Sequence, residues 1–206
     1  MKLIGQYDSP FVRRVAVTLQ LYGLPYEHRP WSAVGDADEI AAVNPLIRVP
    51  TFVTEDDVAF TDSGTILQFL DHHVGSGAFL SRDWPEQGES LRLAAFATGV
   101  ADKAVALIYE RAFHKDAIPA WTQRLHRQIA DTLAMLEGER AKRTTLWLFG
   151  GTLSHADIIL GTMACFLREA HPGHFDLDAH EAIKRHSEEC EKLPQFRNSY
   201  RPFRLG

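Results

Sequence analysis

Tyr7 and Ser9, near the start of the chain, carry the hydroxyl groups that are best suited to a chemical role. Ser9 precedes Pro10, a pair typical of a helix start with serine as N-cap. A helix N-terminus stabilises an anion, so Ser9 is either a plain cap worth roughly 1 kcal/mol or a hydrogen-bond donor to a bound anion. Tyr7 would point the same way in an extended chain, or it packs on the core. Arg13 and Arg14 are predicted to be structural charges.

Further candidates lie in the run 44–50 and at the start of a later helix. Arg48 is either a partner for a carboxylate or a solvated surface charge. Pro50 after Val49 is compatible with the start of a strand. Asp62 and Ser63 begin a helix, where they act as caps or help to bind a charged ligand.

The histidines and cysteines predict neither a metal site nor a redox motif. The histidine pairs at 72–73 and 171–174 lack the spacing of a helical metal pair, and no cysteine lies near them. Cys165 and Cys190 do not form a C-x-x-C pair. Two cysteines in 206 residues are not a disulfide scaffold, and they favour a reducing cytoplasm.

Length, composition and charge exclude several classes of protein. The chain has 206 residues, enough for two small domains, and its 24% charged and 45% hydrophobic residues are ordinary for a globular protein. A net charge of −5 argues against a general nucleic-acid binder. No apolar run is long enough to span a bilayer, and the first residues lack the apolar core of a signal peptide. We therefore expect a cytoplasmic protein that binds neither nucleic acid nor a membrane.

The first third of the chain predicts the element order β-α-β-α-β-β-α. The predicted strands cover residues 2–7, 26–29, 49–54 and 58–60, and the helices begin near residues 10, 36 and 63. A βαβ unit followed by a hairpin and a helix is the thioredoxin-like arrangement. We therefore predict an α/β thioredoxin-like domain over 1–76 and a linker over 77–86, because glycine and serine interrupt the pattern there.

The remaining residues, 87–206, predict an all-α domain, because apolar residues recur every three or four positions. Ser154 and Asp157 form a capping-box-like helix start. The helix that follows is apolar on nearly every side, so we expect it, with Cys165, in the middle of a bundle. Three aromatic residues could either line an apolar pocket or pack in the core: Tyr109, Phe113 and Trp121.

Taken in order, four motifs resemble the cytosolic glutathione transferase superfamily, most of all its small bacterial members with a serine-type active site. The motifs are the runs 9–13 and 44–50, the pair Asp62-Ser63, and Ser154-x-x-Asp157. The resemblance covers essentially the whole chain. It implies a cytoplasmic homodimer that acts in detoxification and joins glutathione, its co-substrate, to small hydrophobic electrophiles.

The resemblance also implies roles for individual residues. The catalytic hydroxyl, which donates a hydrogen bond to the glutathione thiolate, is that of Ser9, with Tyr7 as the competitor. Pro50 is expected to be cis, so that the backbone of Val49 faces glutathione. The implied glutathione-binding residues are Ser9, Phe11, Arg48, Val49, Pro50, Asp62 and Ser63. No metal is implied.

Two other functions stay open on sequence alone. One is a glutathione-dependent isomerase or dehalogenase of the same fold, and the other is a binding or regulatory protein without turnover. The predicted first domain contains no cysteine. Such a domain would have to take its thiol from glutathione, which favours conjugation or isomerisation over thiol-disulfide exchange.

Overall fold

The structure is a computed structural model that describes residues 1–75, 78–79 and 84–204. These residues form two compact units. The first unit contains the chain up to Phe79 together with Lys192–Arg204, and the second contains residues 84–191.

A four-stranded sheet forms the centre of the first unit. Its strands are β1 (Lys2–Ile4), β2 (Glu27–Arg29), β3 (Thr51–Val53) and β4 (Ala59–Thr61). The strand order is β2-β1-β3-β4; β1 pairs parallel with β2 and antiparallel with β3, and β3 pairs antiparallel with β4. In this register Leu3 of β1 lies opposite His28 on one side and Phe52 on the other.

Helices α1 and α3 supply most of the apolar contacts to this sheet. The helices of the first unit are α1 (Pro10–Leu21), α2 (Ala37–Ala41), α3 (Ser63–Val74) and α8 (Pro194–Asn198), which is numbered by chain order. Their buried apolar side chains form a common core with the strands: Leu3, Val12, Val15, Ala16, Leu19, Phe52, Ile66, Leu67 and Leu70. The predicted first strand, 2–7, is shorter in the structure because Gly5 adopts a φ of +132° and turns the chain toward α1.

The second unit is helical. Its helices are α4 (Trp84–Phe113), α5 (Pro119–Ala141), α6 (His155–Ala170) and α7 (Glu181–Glu191), with a 3-10 turn at Leu177–Ala179. Helix α6 is buried on nearly every side and packs against α4 and α7, as its apolar sequence predicts. Ser154 and Asp157 form the capping box that begins α6, and Cys165 is buried.

The structure differs from the sequence prediction at two boundaries. Helix α4 already begins at Trp84, inside the predicted linker 77–86, of which residues 77 and 80–83 lie outside the described residues. The segment Lys192–Arg204 belongs to the first unit, whereas we predicted a second domain over 87–206. Burial of Phe196 in the first unit accounts for this difference, because packing of an aromatic side chain removes a large apolar surface from water.

His171 lies in the second unit and has a strongly lowered pKa. Its side chain is buried, and its Nε2 lies 3.0 Å from the Ala104 carbonyl oxygen. Burial, opposed by that hydrogen bond and reinforced by the charge of Arg111, lowers the pKa of His171 to about 4. In an unfolded chain the histidine pKa is ~6.5, so the folded state binds this proton less readily.

We therefore expect the free energy of unfolding to be highest above pH ~6.5 and to decrease as the pH drops toward 4. At pH 5 the decrease should reach about 2 kcal/mol. Urea unfolding followed by tryptophan fluorescence measures this loss. The variant His171→Gln should show a flatter pH dependence between pH ~6.5 and ~5, and exposed His72→Gln serves as the control. An unchanged pH dependence in His171→Gln would show that another group causes the acid sensitivity.

Candidate functional site

Ser9 lies at the N-terminus of α1, as the sequence predicts. It is the N-cap of α1 with extended backbone angles, and its side chain is partly exposed. The Val12 N–H donates to Ser9 Oγ over 3.4 Å, a long hydrogen bond. Within the part of the chain that the structure describes, the Ser9 hydroxyl proton has no acceptor. The hydroxyl can therefore donate to a group placed at the helix terminus.

The hydroxyl of Tyr7 pairs with another side chain of the first unit. It forms a 2.8 Å hydrogen bond with the hydroxyl of Tyr26, and the Tyr7 ring stacks on His28 with 3.9 Å between ring centroids. Burial, and then the bond to Tyr26, raise the pKa of Tyr7 above its ordinary value. His28 Nε2 in turn lies 2.8 Å from the Gly5 carbonyl oxygen. Tyr7 is therefore part of a packed network beside the sheet.

The loop before β3 presents the backbone of Val49. The Val49–Pro50 peptide bond is cis, as expected. Among the described residues, neither the N–H nor the C=O of Val49 has a hydrogen-bond partner, so both can bind an extended ligand. The buried Asn44 holds this loop: its amide donates to Thr51 Oγ1 over 2.9 Å and to the Arg48 carbonyl over 3.2 Å.

Gly5 brings these two parts of the site together. A Cβ at this position would lie 2.5 Å from Val12 Cγ2 and 2.8 Å from Val49 Cβ. No side chain fits there without moving α1 or the loop. Glycine is therefore required at position 5 by the close approach of Val12 and Val49 and also by the positive φ. Sequence reasoning assigned Gly5 no role.

At the start of α3, Asp62 acts as the predicted cap, whereas Ser63 does not. Asp62 is the N-cap, with a φ of 70°, and its Oδ1 accepts from the N–H groups of Gly64 and Thr65. Those two N–H groups are therefore occupied by the chain itself. Ser63 is buried, and its Oγ accepts a 3.4 Å hydrogen bond from Arg14 Nη1.

Arg14, predicted to be a structural charge, is buried on α1 and contacts Ser63. Burial, opposed by the Asp62 carboxylate, lowers the pKa of its guanidinium to about 10, so it remains a cation at neutral pH. Because Arg14 donates to Ser63 Oγ, the hydroxyl proton of Ser63 is directed to another acceptor. Its position on the buried face of α1 follows from the fold, and no sequence signal marks it.

The remaining candidates are exposed or partly exposed. The Arg48 side chain is exposed beside Val49, and Phe11 is partly buried in the first turn of α1. In the second unit Tyr109, Phe113 and Trp121 are each more than two-fifths exposed, so they do not pack in the core. Their assignment to an apolar pocket remains a prediction.

The described residues show neither a metal centre nor a membrane helix. Within residues 1–75, 78–79 and 84–204, no group of three or more histidine, cysteine, aspartate or glutamate residues is placed to hold a metal ion. Across the same residues, no helix is both long and apolar enough to cross a bilayer.

Comparisons with known proteins identify the family. The family model for the glutathione S-transferase N-terminal domain matches residues 3–77, and that for the C-terminal domain matches residues 119–189. The chain belongs to the glutathione transferase superfamily. This confirms the predicted family and its thioredoxin-like and helical parts.

Individual glutathione transferase relatives match most of the chain. The uncharacterised GST-like protein YibF of Escherichia coli strain K12 is 31% identical over 80% of this chain and 78% of its own length. Glutathione S-transferase U3 of Arabidopsis thaliana is 26% identical over 81% of this chain and 71% of its own length. A glutathione S-transferase from Methylobacterium radiotolerans, solved in complex with glutathione sulfonate, has a TM-score of 0.91 at 25% identity, covering 99% of this chain and 96% of that one.

Proposed function

We propose that this protein is a glutathione transferase that joins the glutathione thiolate to small apolar electrophiles, with the Ser9 hydroxyl stabilising the thiolate. One observation carries the proposal: the Ser9 hydroxyl lies at the N-terminus of α1 with its proton uncommitted, whereas the Tyr7 hydroxyl is bonded to Tyr26. Glutathione sulfonate bound to the related Methylobacterium protein supports the choice of ligand.

The energetics of thiolate stabilisation suit this arrangement. A free thiol has a pKa of ~8.5, and a shift of roughly two units requires about 2.7 kcal/mol of preference for the thiolate. One charge-assisted hydrogen bond contributes ~1.5–3 kcal/mol, and the helix terminus adds to it. Ser9 keeps its proton and donates the hydrogen bond, while the thiol proton goes to solvent. The thiolate then forms a bond to an electrophilic carbon as the leaving group departs with its electron pair.

The same proposal assigns the rest of glutathione to residues of the first unit. The backbone of Val49 binds the cysteinyl part as an added strand would, and exposed Arg48 pairs with the glycyl carboxylate. The Ser63 hydroxyl, oriented by Arg14, donates to the γ-glutamyl carboxylate, and the Asp62 carboxylate faces the ammonium group. Phe11 and Pro50 complete the surface around the thiol.

The assembly is part of the proposal. We expect a homodimer, which light scattering after size-exclusion chromatography tests. A panel of electrophiles, including aryl halides, isomerisable dienes and haloalkanes, distinguishes conjugation from isomerisation and dehalogenation. Glutathione binding without turnover of any of them would favour a binding protein.

Asp62→Asn tests the proposed binding mode. Asparagine keeps an oxygen that can cap α3 and also tolerates a positive φ, but it removes the negative charge opposite the ammonium group. We expect the glutathione Kd to rise about five- to tenfold, because the ion pair between carboxylate and ammonium becomes a weaker hydrogen bond from the ammonium to a neutral amide oxygen. Isothermal titration calorimetry measures the Kd, and Glu55→Gln, an exposed change of the same charge, is the control.

The two negative outcomes have different meanings. An unchanged Kd in Asp62→Asn would overturn the role of Asp62 alone. Absence of heat and of a thermal shift for the wild-type protein at millimolar glutathione would overturn the proposed function.

A further inference from the structure

The connection between β1 and α1, residues 5–9, is bonded to β2 at its first residue. The Gly5 N–H donates to the Arg29 carbonyl over 2.8 Å, and the Gly5 carbonyl oxygen lies 2.8 Å from His28 Nε2. At the other end of the connection, the Ser9 N–H donates to the Gln6 carbonyl over 3.1 Å. Both backbone polar groups of Gly5 are therefore held by β2, and the connection runs from there to Ser9.

The half-buried imidazole of His28 contacts this connection at two points. A carbonyl oxygen only accepts, so His28 Nε2 carries the proton in its bond to Gly5. The protonated ring and the neutral tautomer with the proton on Nε2 both make this bond. The same ring stacks on Tyr7, with 3.9 Å between the centroids and 3° between the planes. His28 thus holds both the start and the middle of the connection.

The position of the Gly5 backbone matters because two parts of the site meet there. Gly5 is buried with a φ of +132°, and an added Cβ would lie 2.5 Å from Val12 Cγ2 and 2.8 Å from Val49 Cβ. A rotation at Gly5 therefore moves the chain against the first turn of α1 or against the loop that presents the Val49 backbone. A buried carbonyl without a donor is unfavourable, so loss of the imidazole N–H favours such a rotation.

We propose that His28 is a positioning residue of the glutathione site: by donating to the Gly5 carbonyl, it holds the Ser9 hydroxyl and the Val49 backbone in the arrangement that binds glutathione. This inference rests on the proposed function, because that function assigns Ser9 to the thiolate and Val49 to the cysteinyl backbone. His28 itself needs no contact with glutathione, since its effect passes through Gly5.

His28→Phe and His28→Gln separate the two contacts of the imidazole. Phenylalanine keeps a flat ring that can stack on Tyr7 but has no donor, whereas glutamine keeps an N–H donor of similar reach but has no ring. We expect His28→Phe to raise the glutathione Kd about tenfold, because one lost hydrogen bond that displaces binding groups has an effect of this size. His28→Gln should stay within about threefold of the wild-type Kd.

Isothermal titration calorimetry measures the Kd for variants whose circular dichroism shows that they are folded. Should His28→Phe fail to fold, His28→Asn takes its place with the same expectation, because the asparagine amide is too short to reach the Gly5 carbonyl.

Tyr22→Phe is the control for a loss of stability without a change at the connection. The Tyr22 hydroxyl donates to the Asp71 carboxylate and accepts from the Phe79 N–H, at the opposite end of α1 from Ser9. Its removal should lower the urea midpoint and leave the glutathione Kd unchanged. If His28 had only a structural role, His28→Phe would behave in the same way.

Each outcome decides one point. A Kd that rises in His28→Phe, returns in His28→Gln and is unchanged in Tyr22→Phe supports the inference. If the Kd is unchanged in His28→Phe, or rises equally in His28→Gln or in Tyr22→Phe, the inference is overturned and the proposed function stands. If the wild-type protein does not bind glutathione, the proposed function fails and the inference fails with it.

Discussion

Ser9→Ala is expected to lower kcat/KM for glutathione conjugation about 10- to 100-fold, with a smaller effect on glutathione binding. The substitution removes one hydrogen bond to a developing thiolate, worth ~1.5–3 kcal/mol, and leaves the α1 terminus in place. Activity with an activated aryl halide over a range of pH measures the effect. The loss should be greatest at low pH, where thiolate formation limits the rate.

Controls separate the chemical effect from loss of the cap. Ser9→Ala also removes an N-cap worth roughly 1 kcal/mol, so the thermal stability of each variant is measured beside its activity. Ser9→Thr keeps both the cap and the hydroxyl and should retain most of the activity. Tyr7→Phe removes only a hydroxyl that is bonded to Tyr26 and should change kcat/KM by less than about threefold. Full activity in Ser9→Ala would contradict the role of Ser9, and a large loss in Tyr7→Phe would assign thiolate stabilisation to Tyr7.

Gly5→Ala is expected to destabilise the protein by about 3–5 kcal/mol and to abolish glutathione binding. The added methyl group would lie 2.5 Å from Val12 and 2.8 Å from Val49, and alanine rarely adopts the φ of +132° found here. Relief of either contact moves the start of α1 or the Val49 backbone, and the proposed site uses both. Urea unfolding and glutathione calorimetry measure the two effects.

Gly23→Ala is the matched control for this substitution. Gly23 also has a positive φ, +66°, but nothing lies within 4 Å of an added Cβ. Its cost is the backbone strain alone, about 1–2 kcal/mol, and glutathione binding should persist. Equal destabilisation by both substitutions would show that the close approach of Gly5 to Val12 and Val49 is not important.

Most elements between residues 1 and 75 could be predicted from the sequence because they have a local signal. Ser9-Pro10 marks the start of α1, and Asp62 marks the start of α3. Strands β3 and β4 are recognised by their β-branched and aromatic residues, whereas β2, Glu27–Arg29, contains neither. The end of β1 was predicted too late, since a glycine at positive φ after Ile4 ends the strand while Tyr7 still fits a strand pattern.

Contacts between distant parts of the chain could not be predicted. Arg14 reaches Ser63 across 49 positions, and Arg13 reaches Phe196 across 183. A charged residue on a helix has the same local pattern whether it is solvated or buried against a later segment. The segment Lys192–Arg204 was assigned to the helical domain because its few apolar residues show no clear period.

A pH titration of the thiolate absorbance of glutathione bound to the wild-type protein is the most direct test of the proposed site. We predict an apparent pKa about two units below the free value of ~8.5, shifted most of the way back in Ser9→Ala. Bound glutathione that titrates at the free value, or no binding at millimolar glutathione, would contradict the proposal that the first unit binds and activates glutathione.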